Sequence, residues 1–481
     1  MRWIAALGLA LWAVLTPARA EEQTLTRWQS DLLAMQVNRP GYAFWQHIFT
    51  IPDGSIAFGS ARDGRLLAIF PTKGDWIRDA AWTEGALAPL LDGQEMPKDV
   101  DDRRSLVASL LEPVVGPVLH NPTRGNFLAP GAQRYGRFLS EWGAVYERFG
   151  VPAEIGLAQA ILESGLDGMK RSEARAVGFC QWLERNWKQL DRLSPQTIEA
   201  RNQTTQAPYC AAYLAILSTR YGSFIPAVSE HNAGGTNVGR LLINGERMGG
   251  RTVRDQYFLG SQLARDLRRL DLDGYKDLYR TYGPRSYFYA EMVFGNSFNV
   301  RNIAAATPQV RIFAMRTPRA IALADIVRRT KLTADEIRRF NPALVKRVPA
   351  GATLYLPQYV KDFGPDVSFW HRPPTAAYAA TLEEFLHLDA TIEQWDDRSF
   401  EPVLQEFQRR FRATRTEEGS VMATVLEYFM KDAYTSERAE ILAEFRASDE
   451  VRQLFERGVI AREALRLAPT PEDTGDAKAD D

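Results

Sequence analysis

The sequence predicts a mainly α-helical protein with short β-segments in two places, and three observations lead there. Apolar and aromatic residues recur at helical spacing through most of the segment 125–295, the period expected of helices that bury one face or more. Asp53-Gly54 and Asp63-Gly64 stand between short apolar runs near the N-terminus, which reads as a small hairpin or meander. An amphipathic helical pattern returns over 381–467, after the Pro-containing linker HRPPT.

The elements follow in order. MRWIAALGLALWAVLTPARA has Arg2, a short apolar run and an A-R-A site, so residues 1–20 read as a secretory signal. The run is too short for an ordinary membrane span, and no Cys follows the cut to carry a lipid. The mature protein is therefore expected to be exported and periplasmic, with no transmembrane segment. Residues 28–35 look helical, and FWQHIFTIPDGSIAFGSARDGRLLAIFPTKGDW makes 21–124 an accessory lobe with short β-segments. AQRYGRFLSEWGAVYERFG reads as a helix stopped by Gly150, and Pro152 opens the next, which runs through Glu163. TQAPYCAAYLAILSTRYG, ending at Gly222, and QYFLGSQLARDLRRL extend an all-helical domain over 125–300.

Residues 308–360 read as strand, helix, turn, helix, strand. Thr333 with Glu336 three residues later is a capping box, Asn341-Pro342 ends that helix, and TLYLP is a short β-segment. Residues 375–467 form a helical C-terminal domain. Its apolar positions Phe385, Leu388, Trp395, Leu404, Phe407 and Phe411 suit a core first and a surface for a protein partner second. The tail 468–481, acidic and without large apolar residues, is expected to be disordered.

Composition narrows the function classes. The 481 residues carry 59 Lys+Arg against 60 Asp+Glu, a net charge of -1, without the basic excess that nucleic acid demands. Cys180 and Cys210 fit either a single disulfide, which an exported protein can form, or two small buried hydrophobes. His47, His120, His231, His371 and His387 lie far apart with no ligand spacing, so no metal is expected and no cofactor is implied.

Glu163 stands out chemically. It ends the apolar run IGLAQAIL, and burial there would raise its pKa into the range that suits a general acid. The bland alternative is an exposed Glu163 paired with Lys170 or Arg171. Its neighbours favour the first reading. Glu163-Ser164 is followed at nine, fifteen and eighteen residues by Ser172, Gly178 and Gln181. This resembles the signature of the soluble-lytic-transglycosylase family, whose goose-lysozyme-like domain carries E-S and then S-x-x-G-A-x-G-L-M-Q. The membrane-bound murein transglycosylase D type, with S-G-A-N-A-A-G-I-W-Q, is the nearest variant to the stretch from Ser172 to Gln181. EARNQTTQAPYCAAYL resembles the family's D-A-R-x-x-x-x-A-x-x-A-A helix, VSEHNAGGTNV its V-A-A-Y-N-x-G-x-x-x-V, and Tyr257 the tyrosine of its last block.

The resemblance implies a lyase that cuts the β-1,4 bond between N-acetylmuramic acid and N-acetylglucosamine in peptidoglycan strands, leaving a 1,6-anhydro ring. Glu163 would be its single catalytic acid and base. Ser172, Gly178, Gln181, His231, Asn232 and Tyr257 would meet the sugar. The chain departs from the family where His231 and Glu230 replace its Tyr and Ala, at Gly165-Leu166-Asp167-Gly168, and at Val253 in place of a Glu. His231 would be placed to hydrogen-bond Glu163, and Glu230 either to raise that pKa or to face solvent. Residues 312–357 resemble a LysM module, a βααβ fold that binds N-acetylglucosamine chains, with Thr317-Pro318-Arg319 in place of its G-D-T opening. Two other readings stay open: an inactive peptidoglycan-binding scaffold, and a hydrolytic muramidase.

Overall fold

The computed structural model describes residues 26–190, 197–270, 275–278, 286–388, 395, 400–431 and 434–467, and the chain is mainly helical. The expected signal at 1–20 and the acidic tail at 468–481 lie outside the described residues. Among the described residues no helix is long and apolar enough to cross a membrane.

Helix α1 (Arg27–Asn38) starts at a capping box between Thr26 and Gln29. A 3-10 turn and α2 (Trp45–Thr50) follow. The run FWQHIF, read from sequence as the start of a β-meander, is thus helical. Trp45, Ile48 and Phe49, three to four residues apart, are buried on one face. The β-region begins at β1 (Ser55–Ser60), which pairs with β2 (Leu66–Pro71) through a turn at Asp63-Gly64, where Gly64 has φ +75°. β3 (Ala81–Trp82) and, after helix α3 (Val100–Val115), β4 (Val118–Pro122) complete an antiparallel sheet in the order β3-β2-β1-β4. Ile56, Phe58, Phe70, Trp76 and Leu111 give it a core of its own.

The helical body comprises α4 (Gly125–Tyr135), α5 (Leu139–Glu147), α6 (Ala153–Ser164), α7 (Glu184–Gln189), α8 (Thr197–Ala200), α9 (Gln203–Tyr221), α10 (Phe224–Ala233), α11 (Gly235–Arg247), α12 (Val253–Arg269) and α13 (Tyr289–Ala306). The helix expected over 132–150 is broken into α4 and α5 by a 3-10 turn at 136–138, where Gly136 abuts Ile303 of α13 so closely that a Cβ would lie 2.7 Å from its methyl. α6 is wrapped by α5, α9 and α13. A two-residue hairpin, β5 (Ala176–Val177) with β6 (Trp182–Leu183), projects between α6 and α7.

Beyond α13 the predicted order of strand, helix, turn, helix and strand is present, with two extra short strands. β7 (Phe313–Arg316) pairs with β10 (Thr353–Leu356), and β8 (Ile321–Ala322) pairs with β9 (Arg347–Val348). Between them lie α14 (Leu323–Thr330) and α15 (Ala334–Phe340). The Thr333–Glu336 capping box forms as expected. Met315, Ile326, Ile337 and Leu354 make this unit's core. It is fastened to the helical body by Asn202, whose amide donates to the Phe340 carbonyl at 2.7 Å, and by the Phe138 and Phe340 rings, 4.7 Å apart.

The C-terminal helices are α16 (Ala376–Leu386), α17 (Glu401–Ala413), α18 (Glu417–Lys431), α19 (Tyr434–Ala447) and α20 (Asp449–Leu467). Phe385, Trp395, Leu404, Phe407 and Phe411 are buried and share one continuous core with the helical body, and Leu388 packs at its edge. α18 lies on α9, α19 on α11 and α20 on α12. Where they meet, Glu230 is 7% exposed, pairs with Arg220 at 3.1 Å and Arg438 at 3.8 Å, and accepts from the Tyr221 hydroxyl. It does not face solvent. Glu230→Ala takes a buried carboxylate away from two buried guanidinium groups and is expected to cost about 3–5 kcal/mol in urea unfolding; a loss below about 1 kcal/mol, the scale of a surface pair, would contradict this network.

Candidate active site

α6 has no polar face. Ile155, Gly156, Leu157, Ala158, Gln159, Ala160 and Ile161 are all buried in succession. Pro152 precedes it and Gly165, at φ +60°, ends it. The Gly165 N–H donates to the Ile161 carbonyl at 2.9 Å and that of Leu166 to Ala160 at 3.3 Å, the paired bonds of a left-handed C-terminal cap. Glu163 occupies the last turn and is partly exposed.

Burial pushes the Glu163 carboxyl up to about 7, against a partial opposing pull from the Tyr289 hydroxyl, which donates to its Oε1. The C-terminal end of the α6 dipole also disfavours a negative charge there. Tyr289 is the first residue of α13 and is itself buried, with its own proton held far more tightly than usual. It therefore remains a neutral donor. Lys170 sits over the Phe127 ring, and Arg171 pairs with Glu184 at 3.0 Å, so neither expected cation takes the carboxyl.

The stretch from residue 178 to 181 runs beside the end of α6 and is held from several directions. Ser164 Oγ donates to the Phe179 carbonyl at 3.3 Å, and the Phe179 N–H donates to Gln206 Oε1 at 2.8 Å. Cys180 is joined to Cys210 of α9 by a disulfide, settling the alternative that the sequence left open. His231 Nε2 bonds the Cys180 carbonyl at 2.8 Å. Because a carbonyl only accepts, the proton is on Nε2, and burial pushes the ring down to about 4, so His231 is neutral at physiological pH. Three non-glycine residues in this neighbourhood, Leu166, Arg175 and Gln181, have φ between +50° and +69°, the kind of local strain that surrounding structure must hold in place.

The sequence-derived candidates fall into two groups. Glu163, the 172–181 hairpin with Ser172, Gly178 and Gln181, and the α10 residues His231 and Asn232 belong to connected elements. Ser172 closes its turn by accepting from the Ala176 N–H at 3.0 Å, and Gln181 donates back to the Lys170 and Gly178 carbonyls at 3.1 and 3.0 Å. Gly178, at φ +83°, leaves room that the Gln206 amide fills, 2.3 Å from where a Cβ would stand. Asn232 keeps an enclosed Oδ1 with no partner among the described residues. Tyr257 stands apart: it is 1% exposed and bonds Ser229 at 2.5 Å between α10 and α12, a packing contact where a sugar contact was expected.

His231 also differs from expectation, since it braces Cys180 while Tyr289 takes the carboxyl of Glu163. Tyr289 lies beyond every matched sequence block. Its one signal was a hydroxyl at the head of YAEMVF, a stretch apolar apart from Glu291, where a buried hydroxyl needs a partner. Together the groups offer a proton held near neutral pH on a partly open carboxyl, a rigid backbone strip and a spare amide oxygen. A carboxyl with its pKa in that range can give and take a proton near neutral pH.

The pKa has a stability consequence. The folded carboxyl holds its proton to about 7 while an ordinary glutamate releases it near 4.5, so the folded state binds more protons in that window and stability falls as pH rises through it. Glu163→Gln removes this loss. Relative to the wild type, the variant is expected to gain about 2 kcal/mol between roughly pH 5 and pH 8; parallel unfolding curves at both pH values would contradict the burial. Compared with known proteins, this chain matches no family model and no curated sequence.

Proposed function

We propose that the protein is an exported peptidoglycan lytic transglycosylase, with Glu163 as its single acid and base. The observation that carries this reading is geometric: a carboxyl at the end of the buried helix α6, hydrogen-bonded by one buried tyrosine and with no cation paired to it among the described residues, where burial pushes its pKa up to about 7. In the protonated form Glu163 gives its proton to the glycosidic oxygen as the bond from the muramic-acid anomeric carbon breaks. The resulting carboxylate then accepts the proton of the 6-hydroxyl as that oxygen closes on the anomeric carbon. The proton returns to Glu163, no water is consumed, and the products are a free hydroxyl and a 1,6-anhydro end. This differs from the two-carboxylate hydrolytic scheme.

Asn232, whose amide oxygen has no partner among the described residues, is the residue we assign to accept an amide N–H such as that of an N-acetyl group. The rigid 178–181 strip supports one fixed sugar orientation, since misplacement of even about 1 Å is costly to catalysis. The Cys180–Cys210 disulfide favours an oxidising compartment and so the export reading.

Mass spectrometry of digested sacculi tests the proposal. Wild-type protein should release anhydro-muropeptides, and Glu163→Gln should lower the rate by at least about 10²-fold. Reducing ends, or no products at all, would overturn it. The rate should also fall as pH rises through about 7, where the acid form is lost. Tyr289→Phe removes the one donor that favours the ionised form, so its alkaline limb should move upward in pH; a shift downward would contradict the assigned role of that hydroxyl.

A further inference from the structure

A cavity of about 250 Å³ lies where α8 and α9, the β7–β10 pair and the C-terminal helix α18 converge. None of its lining residues belongs to the Glu163 site. Glu199 lines it and is 3% exposed. Its Oε1 accepts from Arg316 at 2.9 Å and from the Thr353 hydroxyl at 2.7 Å, while its Oε2 is enclosed with no partner among the described residues. A buried carboxylate oxygen left without a donor costs on the order of 1–3 kcal/mol, so a donor brought to it, by water or by a ligand, is favoured.

The walls say which donor. Tyr209, Phe369 and Trp370 line the cavity, and Trp370 is fixed by its indole N–H donating to Glu141 at 3.0 Å. Lining charges are Glu199 and Glu417 against Arg316, leaving one negative charge in excess, and the Arg316 Nη1 is already spent on Glu199 and on the Gly351 carbonyl at 2.9 Å. Aromatic faces beside an excess carboxylate favour an organic cation. The volume is far more than one water needs, roughly 15 Å³.

We infer that this cavity is a second ligand site, which takes a primary ammonium on a short aliphatic body, with Glu199 Oε2 as its acceptor and the aromatic side chains around the body. The ammonium belongs either to a small free amine or to a lysine-like side chain of a peptide. Because three parts of the fold line the site, an occupant bridges the helical body, the βααβ unit and α18.

Calorimetric titration of the full chain decides it, with n-pentylamine, N-acetyl-lysine amide (free side-chain amine), N-pentylacetamide and N-acetylglucosamine as probes. One or both amines should bind at concentrations up to about 10 mM, and which of them binds more tightly identifies the free or peptide source. The neutral amide and the sugar should bind at least about tenfold more weakly. Glu199→Gln, which keeps an oxygen for Arg316 and Thr353, should weaken amine binding by a similar factor. Val421→Trp, which fills the cavity from α18, should abolish it with Glu163-dependent activity intact. Equal binding of amine and amide, tighter binding of the sugar, no amine binding by wild type, or unaltered binding in both variants overturns the proposal.

Discussion

A carboxyl at the last turn of a helix with no polar side is the constraint around which this fold is arranged. Burial of every face of α6 drives its packing against α5, α9 and α13, and the same burial strips water from Glu163. The protein relieves that cost partially, with one tyrosine hydroxyl and no cation. A salt bridge would have restored an ordinary carboxylate. Its absence among the described residues leaves a group poised between proton donor and acceptor near neutral pH.

What surrounds the carboxyl is built for rigidity. Ser164, Gln206, His231 and Cys210 each hold one group of Phe179 or Cys180. Of the helices that supply them, α9 packs on both α6 and α10, and α9 and α10 are tied to the C-terminal helices through the buried Glu230 network. The C-terminal segment is therefore part of the structural support of the site. Strained backbone at Leu166, Arg175 and Gln181 is tolerated because these fastenings over-determine it.

Local signals were legible in the sequence, and long-range ones were not. Pro152 opens α6, Gly222 ends α9, and Thr333 with Glu336 starts α15, because each acts within one helical turn. The FWQHIF run misled because a short apolar stretch reads alike as strand or helix, and only its packing decides. The break at Gly136 depends on a close approach by Ile303 from α13, far along the chain. Likewise the Cys180–Cys210 bond, the turn of His231 toward Cys180 and the reach of Tyr289 to Glu163 are pairings between distant segments, which no spacing encodes. Glu230 looked like a neighbour of Glu163 and is instead an internal ion partner of Arg220 and, from α19, Arg438.

The central claim, that Glu163 keeps its proton to near neutral pH, is most directly tested by infrared difference spectroscopy. The carboxylic C=O stretch present in wild type and absent from Glu163→Gln should titrate with a midpoint of about 7. A midpoint near 4.5, the ordinary glutamate value, would contradict the account.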